Sequence, residues 1–208
     1  MDLRSRLAAI LAGLGVDDNA AGALFDELAE RYGEPVRHYH VLGHVEEVLG
    51  WLDVLGEDLE DRTAVELAAW FHDAVYDPTA SDNEDRSARL AVDRLGALGV
   101  PDALSGEVAR LVRLTRTHRA DPADLDGAVL LDADLAVLGS APDDYDRYRA
   151  AIRLEYGFVA ETEFRLGRAA VLRSLAEGSC YRTPTGRDRL EARARANIAR
   201  ELADLGGA

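Results

Sequence analysis

The chain has no lysine, so arginine supplies all 24 of its basic side chains. Such a set is what a GC-rich coding sequence produces, so that a single arginine is weak evidence for function. Cysteine is almost as scarce, because Cys180 stands alone among 208 residues and cannot form an internal disulfide. No apolar run reaches the roughly 18 residues that a membrane span requires, and the apolar stretch at 7–14 lacks a signal-peptide cleavage site. We therefore expect a cytoplasmic protein without a membrane partner.

Positive charge is also scarce, since 39 acidic residues outweigh the arginines and give a formal net charge of −15. A chain of this charge repels the phosphate backbone of DNA or RNA, whose binding depends on neutralisation by cationic side chains. We therefore expect no polymeric nucleic acid as a partner. The acidic charge and the modest size favour a small molecule as the partner instead. A homodimer is also compatible with them.

Apolar residues are plentiful, at 48% of the chain, and they recur at helical spacing almost everywhere. The strict alternation that marks a half-buried strand is hard to find. The pattern predicts an all-α fold, with one domain over 1–208 and about eight to ten helices. We expect a core region over about 32–140, with C-terminal helices over 142–205 packed on it.

Local signals predict several helix boundaries. The apolar spacing predicts a helix over about 37–55, and either Asp61 or Thr63 opens the next one. Ser81, with Glu84 three residues later, forms a capping box that predicts a further helix start.

All five histidines fall near one of three points in the sequence, and the first group holds the densest pattern. His40 and His44 are four residues apart, so on the predicted helix they would lie on the same face and could address one site. Taken alone, such a pair more often consists of surface or core histidines than of metal ligands.

The dipeptide His72-Asp73 ends the apolar string Ala-Ala-Trp-Phe-His-Asp-Ala. The end of a buried helix fixes both side chains and exposes them to a cleft. Two ionisable groups beside Trp70 and Phe71 are costly unless a ligand compensates them. The alternative is that Asp73 only bonds to the histidine and to the loop backbone.

Two carboxylates interrupt the apolar string Leu-Leu-Asp-Ala-Asp-Leu-Ala-Val-Leu-Gly over 130–139. An uncompensated carboxylate on such a face is disfavoured, and a cation would compensate it. Asp134 is the better candidate ligand, because Asp132 has the alternative role of a helix N-cap.

The combination of His44, the pair His72-Asp73 and the distant Asp134 resembles the signature of the HD superfamily of metal-dependent phosphohydrolases. The segment from His40 to His44 is also similar to the His-x-x-x-His segment of cyclic nucleotide phosphodiesterases, in which the first histidine is the general acid. Longer strings, among them Phe-His-Asp-Ala-Val-Tyr, resemble a bacterial subgroup of predicted HD hydrolases over about 32–205. The rest of the chain departs from the phosphodiesterases, so their substrate is not implied.

The resemblance implies an HD-type helical bundle and an enzyme that hydrolyses a phosphoester of a small molecule, a nucleotide or a phosphomonoester, through a metal-activated water. His44, His72, Asp73 and Asp134 would bind the metal, and His40 would be the general acid. Because the ligand set mixes nitrogen and oxygen, Mn, Fe, Co, Ni and Mg suit it, and Zn remains open.

Further side chains are candidates for the same site, each with a structural alternative. Glu84 is a candidate for a catalytic role, in which it would hold a water, and Asp73 is a catalytic candidate as well as a ligand. The resemblance suggests a second metal or substrate contact for His118, and Asp132 is a candidate for the same role. Glu84 could instead be a helix cap, and His118 a plain helix-terminal histidine. The candidate phosphate-binding residues are Arg37, Arg153 and Arg168, because guanidinium binds phosphate in a bidentate manner. Ion pairs with the many surface carboxylates are the alternative for all three arginines.

Two other functions are compatible with the same residues. Some HD proteins hold two irons and oxidise their substrates with dioxygen, and His118 as an extra ligand would favour that chemistry. A helical binding module that keeps a metal only for stability is the other alternative.

Overall fold

The helical periodicity predicts an all-α fold, and the computed structural model, which describes residues 1–206, confirms it. Over that range the chain forms ten α-helices and one 3₁₀ helix, with no strand. The α-helices, numbered in chain order, are Leu3–Gly13 (α1), Asp18–Tyr32 (α2), Leu42–Leu55 (α3), Arg62–Phe71 (α4), Asn83–Ala97 (α5), Asp102–Leu114 (α6), Leu125–Asp134 (α7), Pro142–Glu155 (α8), Glu161–Leu175 (α9) and Pro184–Gly206 (α10). The 3₁₀ helix, Leu135–Gly139, continues directly from α7.

Two of the predicted helix starts can be compared with their capping bonds. Asp61 caps α4 as predicted, because its carboxylate accepts a hydrogen bond from the backbone N–H of Ala64 at 2.9 Å. The capping box at Ser81 is wrong, since α5 begins two residues later, at Asn83. The side chain of Asn83 bonds to both the N–H and the carbonyl of Asp77, at 3.1 and 2.8 Å, and so folds the preceding loop back on the helix start.

The predicted helix over 37–55 is wrong in its first turn, because α3 begins only at Leu42. The reason is a carboxylate from the far end of α8. Oε1 of Glu155 accepts hydrogen bonds from three successive backbone N–H groups, over 38–40, at 2.8 to 2.9 Å. A turn that wraps around one carboxylate in this way is not helical. His40 and His44 therefore do not share a helix face, although their rings are still 5.9 Å apart between centroids.

The buried apolar side chains form two clusters that meet near the end of α7. The first runs from Leu7 on α1 to Ala133 and includes the fully buried Trp70. The second begins at Leu135 and continues through α8 to α10. Asp134 lies between the last residue of one cluster and the first residue of the other, so the helical packing places its carboxylate at their junction. Within the described range, every helix falls short of the length or the apolar character that a bilayer crossing needs.

Candidate metal centre

Three predicted ligands from separate parts of the chain converge at this junction. Nε2 of His44 lies 3.1 Å from Nε2 of His72 and 3.1 Å from Oδ1 of Asp134, and the remaining pair is 3.5 Å apart. An octahedral ion with bonds of about 2.1 Å has adjacent ligand atoms about 3 Å apart. The three atoms therefore have the spacing of one face of such an octahedron, and the group could hold a metal ion.

Asp73 brings a fourth donor to the same place. Its Oδ2 lies 3.1 Å from Nε2 of His72 and 3.9 Å from Nε2 of His44. α4 explains the position of the His72-Asp73 pair, because the helix is buried along its last two turns and ends at Phe71. The apolar helix thus carries the two polar side chains to the cluster, as the sequence predicts.

The surroundings of the ring nitrogens of His72 and His44 fit a metal-ligand role. Nδ1 of His72 lies 2.9 Å from the carbonyl oxygen of Ala69, a contact that requires the proton on Nδ1 and leaves the lone pair on Nε2. Ligand histidines commonly donate their second N–H to a carbonyl in this way. Nδ1 of His44 is buried and has no hydrogen-bond partner in residues 1–206. Because lone pairs and carboxylate oxygens face one another here, a divalent cation fits the donor set.

The electrostatics of the cluster also favour a cation. Burial lowers the pKa of His72, but the charges of Asp73 and Asp134 outweigh it and raise that pKa well above its ordinary value. Burial likewise raises the pKa of Asp134, but hydrogen bonds with His118, His44 and His72 bring it well below the ordinary value. Both shifts have the same origin, because the carboxylates of Asp73 and Asp134 stabilise positive charge between them.

His118 lies on the other oxygen of the same carboxylate, since its Nε2 is 2.9 Å from Oδ2 of Asp134. The backbone at His118 has a φ of 48°, in the left-handed region, where a residue with a side chain costs about 1 kcal/mol or more. The turn after α6 therefore holds a strained residue with its ring against the cluster. The structure thus brings His118 to the site, as one of the sequence interpretations expects.

His40 lies beside the four ligands and is oriented by a residue that the sequence reasoning missed. Its Nδ1 is 2.7 Å from Oε2 of Glu155, and that oxygen also accepts a hydrogen bond from the hydroxyl of Tyr76 at 2.8 Å. The ring of Tyr76 stacks on the imidazole, with centroids 4.4 Å apart. With Nδ1 engaged, Nε2 of His40 faces Asp73, whose Oδ2 is 3.9 Å away.

The charges around His40 favour the protonated form of its ring. Burial lowers the pKa of His40, but Asp73 and Glu155 outweigh it and raise that pKa. Burial raises the pKa of Glu155, but the His40 ring and the three backbone N–H groups lower it to about 2. Each member of the pair therefore stabilises the charged form of the other. A signal for Glu155 exists in the sequence, because a carboxylate in the last turn of a helix opposes the helix dipole.

Part of the cluster borders a cavity of about 610 Å³. The cavity is lined by His40, Asp73, His118 and Asp134. Half-buried Glu84 also lines it, and its carboxylate has no hydrogen-bond partner within residues 1–206. The volume is within the range of about 300–1,000 Å³ that is typical of small-molecule sites. Arg116, which the sequence reasoning did not single out, also lines the cavity; its guanidinium is half exposed and pairs with Asp85 at 3.2 Å.

The three candidate phosphate-binding arginines are occupied elsewhere. Arg37 is buried and donates to the backbone carbonyls of Asp73 and His40, at 2.7 and 3.1 Å, so that it holds the loops that carry the ligands. Arg153 pairs with Glu161 and caps the end of α8. Arg168 reaches the cavity wall, but it is buried in an ion pair, which is described below. The structure therefore does not bring Arg37 or Arg153 to the cavity.

Asp132 points away from the ligands. Its carboxylate accepts hydrogen bonds from the backbone N–H groups of Arg182 and Thr183, at 2.8 and 2.7 Å, just before α10 begins. Its interpretation as the N-cap of its own helix is wrong, because it lies inside α7. It instead fastens the loop that precedes α10 to α7, which explains why a fully buried carboxylate is tolerated here.

Replacement of Asp132 by alanine is expected to destabilise the fold by about 2–4 kcal/mol, because two backbone donors lose a charged acceptor. Bound metal should stay unchanged. Urea unfolding and metal analysis measure the two effects, with Asp93→Ala on the exposed side of α5 as the matched control. A loss of metal in folded Asp132→Ala would instead assign Asp132 to the ligand set.

Comparisons of the chain with protein-family models, with curated proteins and with solved structures find no match. The geometry of the described residues is thus what bears on function. It establishes an all-helical fold with a group of His44, His72 and Asp134 that could hold a metal ion.

Proposed function

We propose that this protein is a metal-dependent phosphohydrolase that cleaves a phosphoester of a small molecule, such as a nucleotide or a phosphomonoester. The observation that carries the proposal is the convergence of His44, His72, Asp73 and Asp134 beside His40, next to a cavity of ligand size that Asp73, Asp134 and His40 line. The resemblance of these residues to the HD signature supports the same reaction.

The four ligands would hold one divalent ion, of which Mn, Fe, Co, Ni and Mg suit the mixed nitrogen and oxygen donors best. A bound ion of this kind supplies Lewis acidity, which lowers the pKa of a water ligand and polarises a phosphoryl oxygen. Zn is compatible with the donors as well. Asp73 contributes to both parts of the site, because it lies between His72 and His40, at 3.1 and 3.9 Å.

His40 provides the proton that the departing alcohol needs. Glu155 holds Nδ1 and leaves Nε2, on a ring that lines the cavity beside Asp73, to donate its proton to the leaving oxygen of the ester. The Tyr76 ring covers one face of the imidazole and, through its hydroxyl, fixes Glu155 from a second direction. Glu84 lies on the same cavity wall, where its free carboxylate accepts a hydrogen bond from the attacking water.

The proposal is tested by metal analysis of the purified protein, followed by a screen of phosphomonoesters, phosphodiesters and nucleotides with each candidate metal. We expect about one or two ions per chain and metal-dependent release of phosphate or a phosphomonoester. A protein that holds its metal stoichiometrically and hydrolyses no ester in the screen would contradict the proposal and favour the metal-stabilised binding module.

One observation favours a second candidate, a di-iron oxygenase. Asp134 has His44 on one carboxylate oxygen and His118 on the other, at 3.1 and 2.9 Å, and a carboxylate placed in this way could bridge two metals. Oxygen uptake by the iron-loaded protein distinguishes the candidates. Hydrolysis at the same rate under anaerobic conditions supports the phosphohydrolase, and substrate oxidation that stops without oxygen supports the oxygenase.

A further inference from the structure

The cavity has two chemically different walls, and together they narrow the class of substrate. One part of its lining holds Asp73 and Asp134 of the ligand cluster, together with His40. Another part is built by the segment that follows α8 and by α9, which contribute mainly apolar side chains. Those that face the cavity are Tyr156, Val159, Phe164, Val171 and Leu175.

The apolar wall is incompletely covered by the protein itself. Phe164 and Leu175 are half-buried, and Val171 is 51% exposed, and all three line the cavity beside the polar cluster. Apolar side chains left in such a position gain free energy when an apolar ligand removes them from water. The guanidinium of Arg153 lies over the Phe164 ring, 4.6 Å from its centroid, and so helps to keep the ring in the wall.

The charged groups of the cavity disfavour a ligand with several phosphates. Four carboxylates line it: Asp73, Asp134, Glu84 and Glu163. Of the two guanidiniums in the lining, Arg168 is fully occupied. Its Nε lies 2.9 Å from Oε1 of Glu201, Nη2 lies 3.2 Å from Oε2, and Nη1 donates to the hydroxyl of Tyr148 at 3.0 Å.

Arg116 is thus the one guanidinium in this lining that can turn toward a ligand, because its surface pair with Asp85 is half exposed. A polyphosphate would need several cations besides the metal, as charge-assisted pairs with arginine usually provide. A single phosphate needs only the metal and one arginine. The rest of the ligand would then extend along α9, away from the cluster.

From these two observations we propose that the substrate is a singly phosphorylated ester of an apolar, ring-bearing alcohol, with the phosphate at the cluster and the ring against Phe164. This inference rests on the proposed phosphohydrolase function. Binding measurements test it without turnover, so that its failure is distinguishable from the failure of the hydrolase assignment.

The experiment measures calorimetric binding of 3-phenylpropylphosphonate and 3-hydroxypropylphosphonate to metal-loaded protein. Both probes resist hydrolysis and carry the same charged group. We expect the phenyl compound to bind at least about tenfold more tightly. Burial of the ring against the apolar side chains is favourable, whereas burial of the hydroxyl there removes its hydrogen bonds to water. It should also bind more tightly than the magnesium complex of a non-hydrolysable nucleoside triphosphate.

Variants of α9 locate the effect. Phe164→Ala should reduce the preference for the phenyl compound to less than about threefold. Val171→Asn should weaken the preference too, and this half-exposed position does not disturb the core. Leu166→Ala is the matched control, since Leu166 is on the same helix, is 70% exposed and lies outside the lining.

Each result decides the inference. Equal affinity for the two phosphonates, no binding of either to verified metal-loaded protein, or tighter binding of the triphosphate overturns it. A preference that survives in both Phe164→Ala and Val171→Asn also overturns it, because the ring would then bind elsewhere. If the preference follows α9 but no ester is turned over, the ligand class stands and the hydrolase assignment fails.

Discussion

Replacement of His72 by alanine is expected to remove the bound metal and, with it, all measurable turnover. His72 offers Nε2 to the cluster, 3.1 Å from both His44 and Asp73, and its Nδ1 is already held by the backbone. Loss of a residue that only orients a ligand costs about 10- to 100-fold in metal affinity, and loss of a ligand costs more. Metal analysis after desalting should give less than about a tenth of the wild-type content.

Thermal unfolding supplies a second readout that does not depend on activity. A metal that binds only the folded state stabilises it by about 2.7 kcal/mol at a concentration of 100 times its Kd. Wild-type protein should therefore melt at a higher temperature as metal is added, whereas His72→Ala should not respond. His38→Ala is the matched control, because its side chain is exposed and lies outside the cluster. An unchanged response in His72→Ala would refute the ligand set.

The sequence predicts the fold class well because the signal is local and repeated. Apolar spacing marks nearly every helix, and a start such as the one that Asp61 caps depends on neighbours within a turn. The beginning of α3 could not be predicted, because the contact that determines it is not local in the sequence. Its first turn is unwound by Glu155, which lies 115 residues away from His40, so that no pattern near the histidines records the contact.

The candidate site, too, is predicted in part by the sequence and in part determined only by tertiary contacts. The pattern of ligand types identifies His44, His72, Asp73 and Asp134, and the structure brings them together. Two residues apart on one helix, Asp132 and Asp134 must face different sides, since each residue turns the helix by about 100°. Only the packing of α7 against α3 and against the loop before α10 decides which carboxylate meets the histidines.

The arginines show why residue type alone is a weak guide. Arg37 and Arg168 are both buried, and each is hydrogen-bonded to an acceptor from a distant part of the chain. Arg37 donates to the backbone carbonyl of Asp73, and Arg168 donates to the carboxylate of Glu201. Arg116, which lies at the cavity, has no sequence feature that separates it from its neighbours. Burial and pairing, which determine what a guanidinium can bind, are tertiary properties.

Replacement of His40 by alanine is expected to keep the metal and to reduce turnover by about 10²- to 10⁴-fold, the range of general acid catalysis. Glu155→Gln tests how the acid is held. Its amide oxygen can still accept the backbone N–H groups at 38–40, but the charge beside Nδ1 of His40 is gone. We therefore expect the turn to remain, the metal to stay bound and kcat to fall by less than in His40→Ala.

The pH dependence separates this role from a merely structural one. In the proposed reaction the protonated form of His40 is the active one, so we expect kcat to fall as pH rises through the pKa of His40. Because the charge of Glu155 raises that pKa, the Glu155→Gln variant should lose activity at a lower pH than the wild type.

The leaving group gives a further test of His40 as the acid, since 4-nitrophenolate departs without a proton and benzyl alcohol does not. His40→Ala should therefore slow the hydrolysis of benzyl phosphate much more than that of 4-nitrophenyl phosphate, and an equal loss on the two esters would show that His40 is not the acid.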